Sequence, residues 1–287
     1  MMIDINTKFI TLIGTPLSQS YAARMQNAGY ASNDLNFCYF YTETDSSHLG
    51  EIITGIRYMP SFAGCAVTKP NKVEVMRYLD EYDPLCEKIG SANTVVKTQA
   101  GKLKGYNTDG IGFLKALSEE GFEISGKTFF CFGAGGAGRA ICFSLAFAGA
   151  SKVYITDVVK ESADSLAIDI NRHYSSVAVA VDKGDFSHIS SCDSVINATG
   201  IGMGKTVGVS PLPCEFISGN QFFFDACYNP AKTQFLLDAE KRGCRILNGL
   251  SMSLYQGVSQ IELWSGKKIN EDAMRHELTS IIDGKRN

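Results

Sequence analysis

The chain has 287 residues, 45% hydrophobic and 20% charged, an ordinary globular balance in a length that suits two domains. Its 27 basic and 30 acidic side chains leave a net charge of −3, so no basic field exists to attract nucleic acid. No apolar run approaches the length of about 20 residues that a membrane helix needs, and MMIDINTKFI lacks the layout of a signal peptide; a cytoplasmic protein is expected. The nine cysteines are odd in number, widely spaced and without a C-x-x-C, and the four histidines show no metal-ligand spacing. Buried free thiols and no metal site are expected.

In chain order, Phe9–Ile13 and Phe37–Tyr41 read as strands with a helix over Ala22–Tyr30 between them. Leu49, Ile52, Ile53 and Ile56 fall on one face of a second helix. Cys65–Thr68 reads as a short buried strand, and Thr94–Lys97 and Lys102–Gly105 flank a Gln-Ala-Gly hairpin signal. From Lys127 the pattern sharpens: a strand to Phe132, a glycine-rich turn, and an apolar helix over Ala140–Ala148. Further strands are expected at Lys152–Thr156, Ser194–Asn197, Phe222–Asp225 and Arg245–Leu247, with helical stretches between most of them. This alternation predicts a parallel, helix-covered sheet. Leu254, Val258 and Ile261 share a helix face, as do Met274, Leu278, Ile281 and Ile282; the pattern does not fix where these last helices pack.

The strand ending at Phe132 runs into Gly133-Ala134-Gly135-Gly136-Ala137-Gly138, a G-x-G-x-x-G turn at Gly133, Gly135 and Gly138. The first glycine permits the tight turn, the second lets the backbone approach a pyrophosphate, and the third allows close helix–strand packing; the helix N-terminus favours the anion. The next strand ends at Asp157, about 20 residues on, where a carboxylate accepts hydrogen bonds from the ribose of NAD and repels the 2′-phosphate of NADP. NAD is the favoured cofactor, NADP the alternative. The competing reading of Asp157 is a cap on the following helix.

Seven further motifs stand in order: Gly14-Thr-Pro16-Leu-Ser-Gln-Ser20, Val67-Thr68-Lys-Pro70-Asn-Lys72, Gly90-Ser-Ala92-Asn93-Thr94, Gly105-Tyr-Asn107-Thr108-Asp109-Gly110, Asn197-Ala-Thr199-Gly-Ile-Gly202-Met203, Asp225-Ala-Cys-Tyr228-Asn229-Pro230 and Met252-Ser-Leu-Tyr-Gln256-Gly257. In order and spacing they resemble the shikimate dehydrogenase family, including its quinate/shikimate branch, over about residues 9 to 266. The resemblance implies an α/β fold: an N-terminal α/β substrate domain (1–110, completed by C-terminal helices in 250–287) plus a Rossmann-type doubly wound parallel-sheet cofactor domain (111–249). It implies an oxidoreductase interconverting shikimate and 3-dehydroshikimate, or quinate and 3-dehydroquinate, with NAD(P). It also implies roles: Lys72 and Asp109 as the catalytic pair, and Ser20, Thr68, Asn93, Tyr228 and Gln256 as substrate contacts. Thr199, Ala226 and Gly249 join the glycine turn and Asp157 as cofactor contacts, the last two glycine and alanine positions against the nicotinamide. The expected partner is a small molecule, and the chain a monomer or homodimer.

The chemistry of those residue types agrees. Oxidising an alcohol sends a hydride to the nicotinamide and a proton to a side chain within hydrogen-bond reach. A Lys–Asp pair relays that proton, and the ammonium stabilises developing alkoxide charge; which partner moves the proton stays open. Blander readings stand beside these: Asp109 as a turn or helix cap, Tyr228 as packing, Gln256 as a buried structural amide.

Two departures from the family pattern matter. Its first motif usually reads Pro-Ile-x-His-Ser-x-Ser-Pro; here Gln19 replaces the histidine and Ala22 the second serine. One charge-assisted hydrogen bond to the substrate carboxylate is lost, about 1.5–3 kcal/mol. Weaker shikimate binding, tolerance of quinate or a different polyol acid follows. Family members selective for NADP usually carry Asn-Arg-Thr where Thr156-Asp157-Val158 stands, which points to an NAD-using, specialised relative. A dehydrogenase of another hydroxylated ring acid and a non-catalytic ligand-binding relative remain the alternatives; the presence of both Lys72 and Asp109 argues against the second.

Overall fold

The computed structural model describes residues 3–18 and 20–282; Gln19 lies outside the described residues, as do the side chains of Ile281 and Ile282. The chain divides into two compact units, one of residues up to Gly112 together with those from Leu254 onward, the other Phe113–Ser253.

In the first unit β1 (Lys8–Gly14), α1 (Ala22–Ser32), β2 (Phe37–Glu43), α2 (Leu49–Arg57) and β3 (Phe62–Val67) alternate. β1 pairs in parallel with β2 on one side and β3 on the other. The chain thus reverses its direction of winding at β1, which opens a crevice at the carboxyl ends of β1 and β3. β4 (Glu81–Tyr82), α3 (Pro84–Ile89), β5 (Thr94–Lys97) and β6 (Leu103–Tyr106) complete a six-stranded sheet ordered β2-β1-β3-β5-β6-β4. β5 runs antiparallel to both neighbours, so the expected hairpin forms, its second strand starting one residue later than expected. Of the apolar face on α2, Leu49 and Ile53 are fully buried against Ile13, Phe62 and Val95, while Ile52 and Ile56 flank that core. α4 (Thr108–Glu119) then carries the chain into the second unit.

The second unit contains β7 (Thr128–Phe132), α5 (Gly136–Phe147), β8 (Lys152–Thr156), α6 (Lys160–His173), β9 (Ala178–Ala180), β10 (Ser194–Asn197), β11 (Phe222–Asp225), α7 (Gln234–Lys241) and β12 (Arg245–Asn248). All six strands are parallel, ordered β12-β11-β10-β7-β8-β9. The chain winds outward from β7 to β9, then returns to start again at β10 on the other side of β7. That reversal puts the ligand crevice at the carboxyl ends of β7 and β10. The strands are apolar on both faces because helices and loops cover both; Phe130, Phe132, Phe223 and Phe235 meet in one core. Residues 198–221 between β10 and β11 form no α-helix, only short 3₁₀ turns at Gly204–Thr206 and Cys214–Phe216.

After β12 come α8 (Leu250–Ser265) and α9 (Asp272–Ile282). In the first unit they pack on α1: a Cβ on Gly29 would sit 2.7 Å from Ile261 and 2.8 Å from Met274, so only glycine admits this approach. Trp264 Nε1 donates to the Val95 carbonyl at 2.9 Å, tying α8 to β5. Arg24 pairs with Glu277 at 2.8 Å, tying α1 to α9. Leu254, Ile261, Met274 and Leu278 are buried, as the shared faces predict. All nine cysteines are free, and seven are buried.

Candidate active site

In the first unit the candidate residues cluster where β1 and β3 end. A Cβ on Gly14 would overlap the methyl of Thr68, so glycine lets the two strand ends close together. Thr68 N–H donates to the Ile13 carbonyl at 2.9 Å, and the Thr68 carbonyl accepts from Asn71 N–H at 2.9 Å. Asn71 is fully buried and anchors this turn: its Nδ2 donates to the Thr44 carbonyl at 3.0 Å and its Oδ1 accepts from Ser46 at 2.9 Å. The turn thereby aims Lys72, whose Nζ donates to Asp109 Oδ2 at 2.6 Å. The Lys72 side chain is 21% exposed and that of Asp109 6%. Asn93 Nδ2 donates to the other carboxylate oxygen of Asp109 at 2.9 Å. Asp109 occupies the first turn of α4, and Lys72 and Asn93 engage its two oxygens.

Ser20 follows β1; its Oγ accepts from Ala22 N–H at 3.3 Å and its carbonyl from the Tyr41 hydroxyl at 2.7 Å. Gln256 is half-buried on α8, one turn before Gln260, whose Nε2 donates to Thr94 Oγ1 at 3.0 Å. The two amides, four positions apart, share a helix stripe. The fully buried amide of this helix is Gln260, which the sequence reading overlooked.

In the second unit the candidates lie at successive strand ends: Gly133 after β7, Asp157 after β8, Thr199 after β10, Ala226 after β11 and Gly249 after β12. The glycine turn fits a dinucleotide. Gly133 has φ 101° with the Ala198 carbonyl 3.0 Å from where its Cβ would be. A Cβ on Gly138 would overlap the Gly133 carbonyl, whereas Gly135 faces open space, the approach a pyrophosphate needs. Gly135 and Gly136 are exposed at the start of α5, with Ala137 half-buried behind them. Asp157 Oδ2 accepts from Ala134 N–H at 2.7 Å and Oδ1 from Val159 N–H at 2.9 Å. The carboxylate therefore ties the strand end to the glycine turn and does not cap α6, which starts at Lys160. A pocket of about 160 Å³ opens there, lined by Gly133, Asp157, Val158, Lys183, Phe186 and Thr199 among others.

Behind it, Asn197 Oδ1 accepts from the Thr199 hydroxyl at 2.7 Å, and Asn197 Nδ2 donates to Asp225 Oδ1 at 3.0 Å. Asp225 is fully buried and also accepts from Cys227 N–H and the Thr233 hydroxyl. Burial pushes its carboxyl above the ordinary aspartate value, against the lowering effect of those hydrogen bonds. Neither Asn197 nor Asp225 stands out in sequence beyond its place in a motif. They shape the next loop: Ala226 N–H donates to the Asn197 carbonyl at 2.8 Å, and a Cβ on Gly249 would overlap the Ala226 carbonyl. Tyr228, half-buried on that loop, belongs to the second unit, whereas Ser20, Thr68, Asn93 and Gln256 belong to the first.

A glycine turn at the switch point of a doubly wound sheet, in a chain that also holds a sequestered Lys–Asp pair, is the architecture of a dinucleotide-binding oxidoreductase. Residues 12–95 match the shikimate dehydrogenase substrate binding domain, and residues 249–279 the shikimate 5′-dehydrogenase C-terminal domain. The shikimate dehydrogenase (NADP(+)) of Desulforamulus reducens is 39% identical, the alignment covering 96% of each chain. The structure of shikimate 5-dehydrogenase from Listeria monocytogenes in complex with shikimate and NAD is 34% identical with a TM-score of 0.92, covering 97% of this chain and 98% of that one. Quinate dehydrogenase from Corynebacterium glutamicum in complex with NAD is 28% identical with a TM-score of 0.89, covering 96% and 99%. The chain belongs to the shikimate dehydrogenase family, and the expected α/β fold with a doubly wound parallel cofactor sheet is borne out.

Proposed function

We propose that this chain is an oxidoreductase interconverting shikimate and 3-dehydroshikimate, with NAD favoured over NADP. The observation that carries the proposal is the Lys72–Asp109 pair, held at 2.6 Å by a second bond from Asn93 and only partly open to solvent. When bound, the nicotinamide supplies the hydride acceptor. The reacting C–H bond gives up its electron pair and hydrogen as hydride, the carbon–oxygen bond becomes a carbonyl, and the hydroxyl proton passes to the Lys72–Asp109 pair. The Lys72 ammonium stabilises negative charge growing on that oxygen. Ser20, Thr68, Asn93, Tyr228 and Gln256 supply hydroxyl and amide groups suited to a polyhydroxylated acid. Ala226 and Gly249 would lie against the nicotinamide, Thr199 would be a further cofactor contact, and Gly133 to Gly138 would hold the pyrophosphate.

The NAD preference rests on Asp157, whose carboxylate lines the pocket beside Gly133 and opposes a 2′-phosphate. The D. reducens relative is named for NADP(+), the L. monocytogenes structure holds NAD, and Lys183 lines the same pocket here. A second substrate, quinate, is favoured by one feature: Ala22, which lacks a hydroxyl and leaves more room than serine.

Initial rates of shikimate and quinate oxidation, each with NAD and NADP, test the proposal. Turnover of shikimate with a higher kcat/KM for NAD is expected. A protein that binds NAD yet turns over neither acid has a different substrate. A higher kcat/KM for NADP refutes the reading of Asp157.

A further inference from the structure

Gln260 on α8 is 3% exposed, and Gln26 on α1 is fully buried. A long amide in such a place is costly unless its groups are bonded. Gln260 Nε2 donates to Thr94 Oγ1 at 3.0 Å and to the Asn93 carbonyl at 3.4 Å. A backbone carbonyl only accepts, so Asn93 fixes which end of the Gln260 amide is nitrogen. Gln260 Oε1 then accepts from Gln26 Nε2 at 2.9 Å.

Thr94 Oγ1 accepts from Gln260 and lies within hydrogen-bond reach of Asn93 Oδ1 at 2.9 Å and of Thr108 Oγ1 at 3.1 Å. Thr108 N–H donates to Asn93 Oδ1 at 2.7 Å. With Oδ1 held by these donors, Asn93 Nδ2 has one direction left, to Asp109 Oδ1, and Lys72 takes Oδ2. Every step from Gln26 to Lys72 is a hydrogen bond.

We propose that Gln260, backed by Gln26 and acting through Thr94 and Asn93, is a positioning residue for the Lys72–Asp109 pair. It touches neither member of the pair. It sets the plane of the Asp109 carboxylate and links the C-terminal helices to the chemistry. This rests on the reading of Lys72 and Asp109 given under the proposed function.

The test compares Gln260→Met with the unaltered protein. Methionine keeps the length and bulk and deletes both hydrogen-bonding ends. The expected result is a folded protein whose kcat for shikimate oxidation falls about 10- to 100-fold, as misplacement of a reacting group costs. Adding Gln260→Met to Asp109→Asn is expected to cost nothing further, because the effect runs through Asp109. The crystal structure of the variant is expected to have Asn93 Nδ2 turned away from Asp109. If Gln260→Met does not fold, Thr94→Val, which removes the relaying hydroxyl, is expected to give the same loss. An unchanged kcat in a folded variant, a loss that adds in full to Asp109→Asn, or a retained Asn93–Asp109 bond overturns the proposal. Absence of turnover in the unaltered protein sinks the functional reading instead, and the variant's crystal structure still decides the positioning.

Discussion

The Lys72 ammonium and the Asp109 carboxylate, 37 positions apart in the chain, meet at 2.6 Å. The Pro-Asn turn after β3 delivers the lysine, and the first turn of α4 delivers the aspartate. Asn93 occupies the second carboxylate oxygen, so Lys72 meets a carboxylate of fixed orientation. Asp109→Ala leaves the Asn93 amide and the Lys72 ammonium without their shared acceptor. The expected outcome is a kcat for shikimate oxidation lower by about 10²- to 10⁴-fold, the usual worth of a positioned acid–base group. Steady-state kinetics on folded variant checks it; a loss below tenfold means the carboxylate is structural only.

Asp157 offers a second test. Its carboxylate lines the pocket beside Gly133 and also holds the glycine turn through Ala134 N–H. Asp157→Ser removes the charge that opposes a 2′-phosphate and keeps a hydrogen-bonding group. The ratio of kcat/KM with NAD to that with NADP is expected to fall by about tenfold or more, since each 1.4 kcal/mol is tenfold. A ratio that does not move assigns cofactor choice to another side chain, with Lys183 the first to examine.

Ala22 stands where the family pattern has serine, and its N–H already donates to Ser20 Oγ. Ala22→Ser restores a hydroxyl at the start of α1. A hydrogen bond to a carboxylate contributes about 1.5–3 kcal/mol, so KM for shikimate is expected to drop about tenfold or more, and the rate ratio of quinate to shikimate to fall. An unchanged KM would show that the carboxylate binds elsewhere.

How much of this is legible in sequence depends on range. The β7–turn–α5–β8 segment reads clearly because buried parallel strands are short apolar runs and glycines punctuate the turn between them. The two-residue β4 and three-residue β9 escape notice because neither is long enough to show a period. On α8, Gln256 and Gln260 are both polar residues on an apolar stripe at helical spacing. Motif resemblance selects the first, and only the fold shows that the second is the buried one. Asn93 is legible as a motif residue, but its orientation is not, because that depends on Thr108 and on Gln260, 15 and 167 positions away. Asp225 is similar: its burial follows from β11 lying between β10 and β12, a fact of topology that local pattern does not carry.

Asp225 leads to a pH prediction. Its folded pKa lies above the unperturbed value of 3.8, chiefly through burial, so the folded state holds this proton more tightly than the unfolded state. The resulting stabilisation is fully present below 3.8 and is lost as pH rises through the folded value. Asp225→Asn does not ionise. Its Tm relative to the unaltered protein is therefore expected to rise as pH increases from 3.8 upward through the folded value. Parallel Tm curves over that range would show that Asp225 ionises normally in the fold.

The most direct measurement of the central claim is shikimate oxidation by the unaltered protein and by Lys72→Met, side by side, with cofactor affinity measured separately. Methionine keeps the aliphatic stem and deletes the ammonium that meets Asp109. The account predicts turnover by the unaltered protein, a kcat at least about 10²-fold lower in the variant, and an unchanged Kd for the cofactor. Near-normal turnover by Lys72→Met, or no turnover by the unaltered protein with either nicotinamide cofactor, would contradict it.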